Sequence, residues 1–204
     1  MNLPNKLTVS RCLLTIIFVG FMSFDHVAAY LLGLVTFIIA AITDYYDGKI
    51  ARERNLITNF GKLLDPVADK VLMVSAFVML MQVPELHVPG WTIVVILARE
   101  FLVTGARSLA AVEGSVIAAS IYGKRKTVFQ MTYVITFLSV VVALRLAALL
   151  PPVAALLPGG IDAWRGALAP VSLVTIVLIA VYTLYSGARF AWQNWKALRL
   201  DSAV

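Results

Sequence analysis

Residues 44–70 read DYYDGKIARERNLITNFGKLLDPVADK, and they gather four aspartates and five lysines and arginines at the junction of two strongly apolar stretches. The surrounding chain explains why this is unusual. Its 204 residues are 61% hydrophobic and only 14% charged, and its mean hydropathy of +0.90 lies well above that of soluble domains. The composition predicts an all-α integral membrane protein. No linker, low-complexity tract or internal repeat divides it, so residues 1–204 are expected to form a single membrane domain.

A bilayer-spanning helix needs roughly 20 apolar residues. Such runs occur at about Leu7–Phe24, Val27–Ala51, Asp65–Val83, Val88–Ala111, Val128–Ala148 and Ala169–Ala191, which predicts six transmembrane helices. The first begins with MNLPNKLTVSR, an amphipathic segment suited to the cytoplasmic interface, and has no clear small-residue cleavage site. It is therefore expected to be retained as a span, not removed as a signal peptide.

Basic residues orient the spans, because positively charged short loops stay cytoplasmic. One set of connections holds Lys6 and Arg11, then Lys49, Arg52, Arg54 and Lys62, then Lys124, Arg125 and Lys126, and finally Lys196 and Arg199. On the other side, SFDHVA and QVPELHVPG have no Lys or Arg, and LPPVAALLPGGIDAWRG, read as a long loop from about Leu149 to Gly166, has Arg165 alone. Both termini and the aspartate stretch are thus expected on the cytoplasmic side of a multi-pass protein of the cell's inner membrane. Trp91 and Trp164 fall near the outer interface and Trp192 and Trp195 near the inner one, where indoles favour the headgroup region. The net charge of +6 is an orientation signal with attraction to anionic membrane lipids, not a sign of nucleic-acid binding.

Several chemistries are excluded. Cys12 stands alone, so there is no disulfide framework or thiolate cluster. His26 and His87 fall in outer loops, which leaves no cytoplasmic histidine for a Ser-His-Asp hydrolase. Arg145, near the outer end of the fifth span, is expected to snorkel to the interface.

The carboxylates remain. On a helix Asp44, Asp47 and Ala51 follow i, i+3, i+7 and share a face at the end of the second span. Gly61, Asp65 and Asp69 follow i, i+4, i+8, again one face if the third helix begins near Gly61, although Asp65 before Pro66 could instead be its N-cap. Four clustered carboxylates repel unless a cation intervenes. The donors are hard oxygens with no imidazole or thiolate beside them, so Mg²⁺ or Mn²⁺ is expected, and two ions among four aspartates suit phosphoryl transfer. Gly48 and Gly61 leave room for close approach of a ligand or backbone. A merely solvated helix end would not require four carboxylates in register with Arg52 and small residues among them. A metal- or proton-coupled transporter would instead place ionisable groups near the bilayer midplane and show paired repeats.

Asp44, Asp47, Gly48, Ala51, Arg52, Gly61, Asp65 and Asp69 match without departure the pattern D-x2-D-G-x2-A-R-x8-G-x3-D-x3-D, in which the chain resembles the CDP-alcohol phosphotransferases. LPNKLTVSR resembles the N-x2-T-x2-R opening of many members, and AREFLVTGAR and YGKRKTVFQM look like the phosphatidylglycerophosphate synthases among them. The first helix departs in lacking the proline common in relatives. The resemblance implies a six-helix homodimeric membrane enzyme. In it Asp44, Asp47, Asp65 and Asp69 hold two metal ions and Asp69 is also general base, while Asn5, Thr8, Gly48, Ala51, Arg52 and Gly61 bind CDP. The implied reaction moves a phosphatidyl group from CDP-diacylglycerol to sn-glycerol 3-phosphate, with phosphatidylglycerol or inositol phosphate as alternative acceptors. An anionic acceptor needs its own cations, and Arg107, Lys124 and Lys126 are the candidates, with loop charge as the alternative for Lys126. Arg99 and Glu100 lie inside the fourth span and require partners. As sequence neighbours they are expected to face different ones, and Ser186 and Gly187 are expected to serve packing or the site entrance.

Overall fold

The computed structural model describes the backbone of residues 3–53, 59–112, 117, 121–154 and 156–195, and the side chains of 9–43, 70–112, 117, 121–154 and 156–195. The described residues are all-helical, without strands. In chain order the helices are α1 (Leu3–Met22), α2 (Val27–Glu53), α3 (Asn59–Leu80), α4 (Gly90–Val112), α5 (Ile121–Leu149), the single turn α6 (Pro151–Ala154) and α7 (Gly160–Gln193).

Two of them, α5 and α7, are long and apolar enough to cross a membrane, and shorter apolar helical stretches lie at Val9–Met22, Val27–Thr43 and Lys70–Leu80. Several helices are apolar on their exposed faces as well as their buried ones: Leu13, Ile16, Val94, Leu102 and Leu178 are each more than half exposed. Side chains of this kind belong against lipid, not water. The chain is a membrane protein. Hydroxyls in such surroundings still need acceptors, and Thr15, Thr36, Thr43 and Thr175 each donate to the carbonyl four residues back on their own helix, at 2.7–2.9 Å.

The chain forms two compact units, Met1–Leu86 with Val134–Ala169, and His87–Tyr133 with Pro170–Val204. In the first, α1 packs along both α2 and α3, and α2 touches α3. The buried stripe of α1 is Arg11, Thr15, Phe18 and Met22, and that of α2 is Tyr30, Leu34, Phe37 and Ala40. These are helical repeats, and they bring the Phe18 and Phe37 rings to 5.6 Å. α3 contributes Leu72, Ala76, Phe77 and Leu80, all fully or almost fully buried.

Two expectations change. The third helix starts at Asn59, so Asp65 lies inside it and is not its N-cap; this favours the face shared by Gly61, Asp65 and Asp69. The connection expected as a long loop from about Leu149 to Gly166 is largely helical. Pro151 and Pro152 occupy the first turn of α6, where a missing N–H is harmless, and α7 begins at Gly160, nine residues before the apolar run. The turn between them needs positive φ, 78° at Gly159 and 77° at Gly160, which only glycine adopts without strain. Pro170 lies inside α7, and the helix continues past it.

Arg145, expected to snorkel, extends its head to acidic residues of the flanking connections. Its Nε and Nη2 donate to the two oxygens of Glu85 at 2.6 and 2.9 Å, and its Nη1 donates to Asp25 Oδ1 at 2.5 Å. The guanidinium lies 4.5 Å from the Tyr30 ring centre, and the Tyr30 hydroxyl donates to the same Asp25 oxygen at 3.1 Å. Two acidic residues in flanking connections outcompete solvent because a planar fork matches a carboxylate.

Candidate active site

The four aspartates expected to form a site lie on two helices of the first unit. The α2 backbone is helical through Glu53 and that of α3 from Asn59, so Asp44 and Asp47 are one turn apart near the end of α2, and Asp65 and Asp69 are one turn apart early in α3. Asn5 and Thr8 lie in the first turns of α1. Because α1 and α2 are joined by a short connection and pack against each other, the start of α1 lies at the same end of the pair as the end of α2. The side chains of Asn5, Thr8, Asp44, Asp47, Gly48, Ala51, Arg52, Gly61, Asp65 and Asp69 lie outside the described residues. Four carboxylates on two helix faces supply the hard, anionic oxygens that Mg²⁺ or Mn²⁺ requires.

The cations expected for the acceptor all belong to the second unit, which sorts them. Lys126, on the first turns of α5, is 5% exposed and ion-paired with Glu100 of α4. It is no loop charge. Lys124, two residues earlier and so on the opposite side of the helix, is exposed. Arg107 is partly buried on the stripe of α4 that includes Arg99, Val103 and Ala110, and its guanidinium lies 5.2 Å from the Phe190 ring centre.

Arg99 and Glu100 find partners on other helices, but they also touch each other. Arg99 is 6% exposed, and its Nη2 donates to Ser186 Oγ of α7 at 2.8 Å while its Nη1 lies 3.4 Å from Glu100 Oε1. Side chains of this length converge on a common point although their Cα–Cβ bonds diverge. Ser186 passes the chain on to the Thr183 carbonyl at 3.2 Å. Gly187 leaves space for the arginine stem, since a Cβ there would stand 2.9 Å from Arg99 Cγ. Ser186 and Gly187 are thus the seat of a buried charge.

One further cation was missed by sequence reasoning. Arg189, on α7, lies 4.3 Å from the Tyr122 ring centre and donates to the Tyr185 hydroxyl at 3.1 Å. Aromatic faces hold Arg107 and Arg189 without neutralising them. The available signal was the spacing of Tyr185 and Arg189, four residues apart on one helix; the contribution of Tyr122 from α5 could not be read. Arg99 Nε and Arg107 Nε are buried without a hydrogen-bond partner in the structure, so the unit holds cationic donors with unused capacity.

The sequence model of the family described as CDP-alcohol phosphatidyltransferase matches residues 1–157. Over 98% of its length the chain is 36% identical to the CDP-diacylglycerol–glycerol-3-phosphate 3-phosphatidyltransferase of Bacillus subtilis (strain 168), covering 99% of that protein. Proteins of the same name from Rickettsia bellii and Salmonella typhimurium are 40% and 38% identical over 64% of this chain, covering 71% and 72% of theirs. A family match over three quarters of the sequence, together with a relative aligned end to end, shows that the chain belongs to the CDP-alcohol phosphatidyltransferase family.

Proposed function

We propose that this protein transfers the phosphatidyl group of CDP-diacylglycerol to sn-glycerol 3-phosphate, releasing CMP and forming phosphatidylglycerophosphate. The carrying observation is the register of Asp44, Asp47, Asp65 and Asp69 on two consecutive helices in a chain aligned throughout with a relative of that name. Asp44, Asp47, Asp65 and Asp69 would hold two Mg²⁺ or Mn²⁺ ions. Ions held there would supply positive charge that offsets the negative charge developing on the departing CMP. Asn5, Thr8, Gly48, Ala51, Arg52 and Gly61 form the CDP pocket, in which the small residues admit the nucleotide and Arg52 meets phosphate. Asp69 takes the proton from the acceptor's 1-hydroxyl as that oxygen attacks phosphorus.

Arg107, Lys124 and Lys126 recognise the acceptor's phosphate, with Arg189 as an additional cation. The unused donor on Arg107 and its aromatic seat support this assignment. The chain forms one membrane domain over residues 1–204, with six spans, the amphipathic N-terminal segment and both termini at the cytoplasmic face of the inner membrane, and it works as a homodimer. The experiment is to incubate purified protein in mixed micelles with CDP-diacylglycerol, Mg²⁺ or Mn²⁺ and one acceptor at a time, following CMP release. Release is expected with glycerol 3-phosphate and to stop on chelation. Productive turnover with only phosphatidylglycerol or inositol phosphate would reassign the acceptor.

A further inference from the structure

Glu100 is the one acidic residue among the described residues of the second unit, which also holds six cations among them: Arg99, Arg107, Lys124, Arg125, Lys126 and Arg189. A lone carboxylate in such a field determines which positive charges are compensated and which stay available. Here it is committed inward. It pairs with the buried Lys126 of α5 and contacts the buried Arg99, whose other terminal nitrogen is bound by Ser186 of α7. Glu100 and Arg99 together therefore join three helices through charge-assisted contacts among largely buried side chains, where leaving a charge unpaired is costly. Around it, Arg107 and Arg189 rest on aromatic rings that leave their charge intact.

We propose that Glu100 is a positioning residue for the acceptor. By holding Lys126 and Arg99 at the junction of α4, α5 and α7, it fixes the orientation of the cations that recognise the acceptor's phosphate. The proposal rests on the acceptor assignment above and adds to it a residue of the opposite sign, which a search for phosphate ligands would pass over. Without the carboxylate, Lys126 and Arg99 repel each other and their ammonium and guanidinium groups lose their common anchor. Arg99 shifts against Gly187, whose missing side chain is what admits it. The lipid donor is unaffected, because its nucleotide and pyrophosphate are assigned to residues of the first unit.

The test compares full-length wild type, Glu100→Gln and Ser186→Ala in mixed micelles, measuring KM for glycerol 3-phosphate and for CDP-diacylglycerol, kcat, and thermal midpoint. Glu100→Gln preserves shape and removes charge. It should raise the acceptor KM about tenfold, the effect of losing one charge-assisted contact, with the lipid KM and kcat within about twofold of wild type. Ser186→Ala should shift the same KM by a smaller factor. A defect spread equally over both substrates, or an unchanged acceptor KM, overturns the proposal and leaves Glu100 as a fold-stabilising ion pair. If Glu100→Gln does not fold, Glu100→Asp keeps the charge and shortens the arm, and it should show the same selective rise in acceptor KM; an unselective defect or wild-type kinetics there overturns the proposal equally. A wild type whose CMP release ignores glycerol 3-phosphate would instead remove the acceptor assignment and this proposal with it, an outcome visible before any variant is made.

Discussion

Two glycines facing side chains at the same distance should respond in opposite ways. A Cβ at Gly187 would stand 2.9 Å from Arg99 Cγ, and one at Gly33 would stand 2.9 Å from Met22 Sδ. The Met22 thioether is the mobile end of an adaptable side chain. Arg99 is held at its far end by Ser186 and Glu100. Alanine is also the better helix former by about 1 kcal/mol. Gly33→Ala should therefore leave the thermal midpoint in detergent unchanged or slightly raised. Gly187→Ala should be destabilising by about 1–2 kcal/mol net, since overpacking against an anchored neighbour outweighs propensity. The aspartates belong to the same scale. Asp44→Asn, Asp47→Asn and Asp65→Asn should each abolish nearly all turnover with the protein still in the membrane, because each would remove the charge of a proposed metal ligand without changing shape; normal CMP release by any two would exclude the proposed metal pair. Asp69→Asn should lower kcat more than it raises the lipid KM, and a variant that loses only affinity would exclude the general-base role.

Between elements, the clamp around Arg145 ties α5 to the connections that follow α1 and α3. Its two halves differ in exposure: the Glu85 side chain is 16% exposed and that of Asp25 66%. Arg145→Gln leaves Glu85 partly buried without its partner and should cost about 2 kcal/mol, whereas Asp25→Asn should cost less than about 1 kcal/mol because water screens that pair. Asp25 also sets a pH dependence. Hydrogen bonds from Arg145, and then from Tyr30, hold its carboxyl below the usual carboxylate range. A folded-state pKa lowered in this way stabilises the fold fully above the unfolded value, near pH 4, and that stabilisation is lost as pH falls through the folded value. Thermal midpoints should drop on acidification below about pH 4, and the drop should be shallower in Asp25→Asn.

For the whole molecule, the basic residues predict orientation. With Cys12 replaced by Ala, a cysteine at exposed Arg125 should react with a membrane-impermeant maleimide only after the cytoplasmic face is opened, and one at exposed His87 should react in intact spheroplasts. The reverse pattern would overturn the topology. The apolar composition, the period of the spans and the unbroken spacing from Asp44 to Asp69 were legible without coordinates, because lipid requires long runs of apolar side chains and the helical repeat converts spacing into a shared face. These features carried the helical class and the aspartate faces. Helix ends were less legible. The stretch from about Leu149 to Gly166 was expected to be a loop, yet Pro151 and Pro152 sit in the first turn of α6 and α7 begins at Gly160. Pairings across helices could not be read at all. Arg145 with Glu85 and Asp25, Arg99 with Ser186, and Glu100 with Lys126 join residues 26 to 120 positions apart. Sequence by itself determined that Arg99 and Glu100, inside an apolar span, needed partners, because burying an unpaired charge is costly. Only tertiary structure decided which partners they took, since that depends on which helices pack together and how far each side chain reaches.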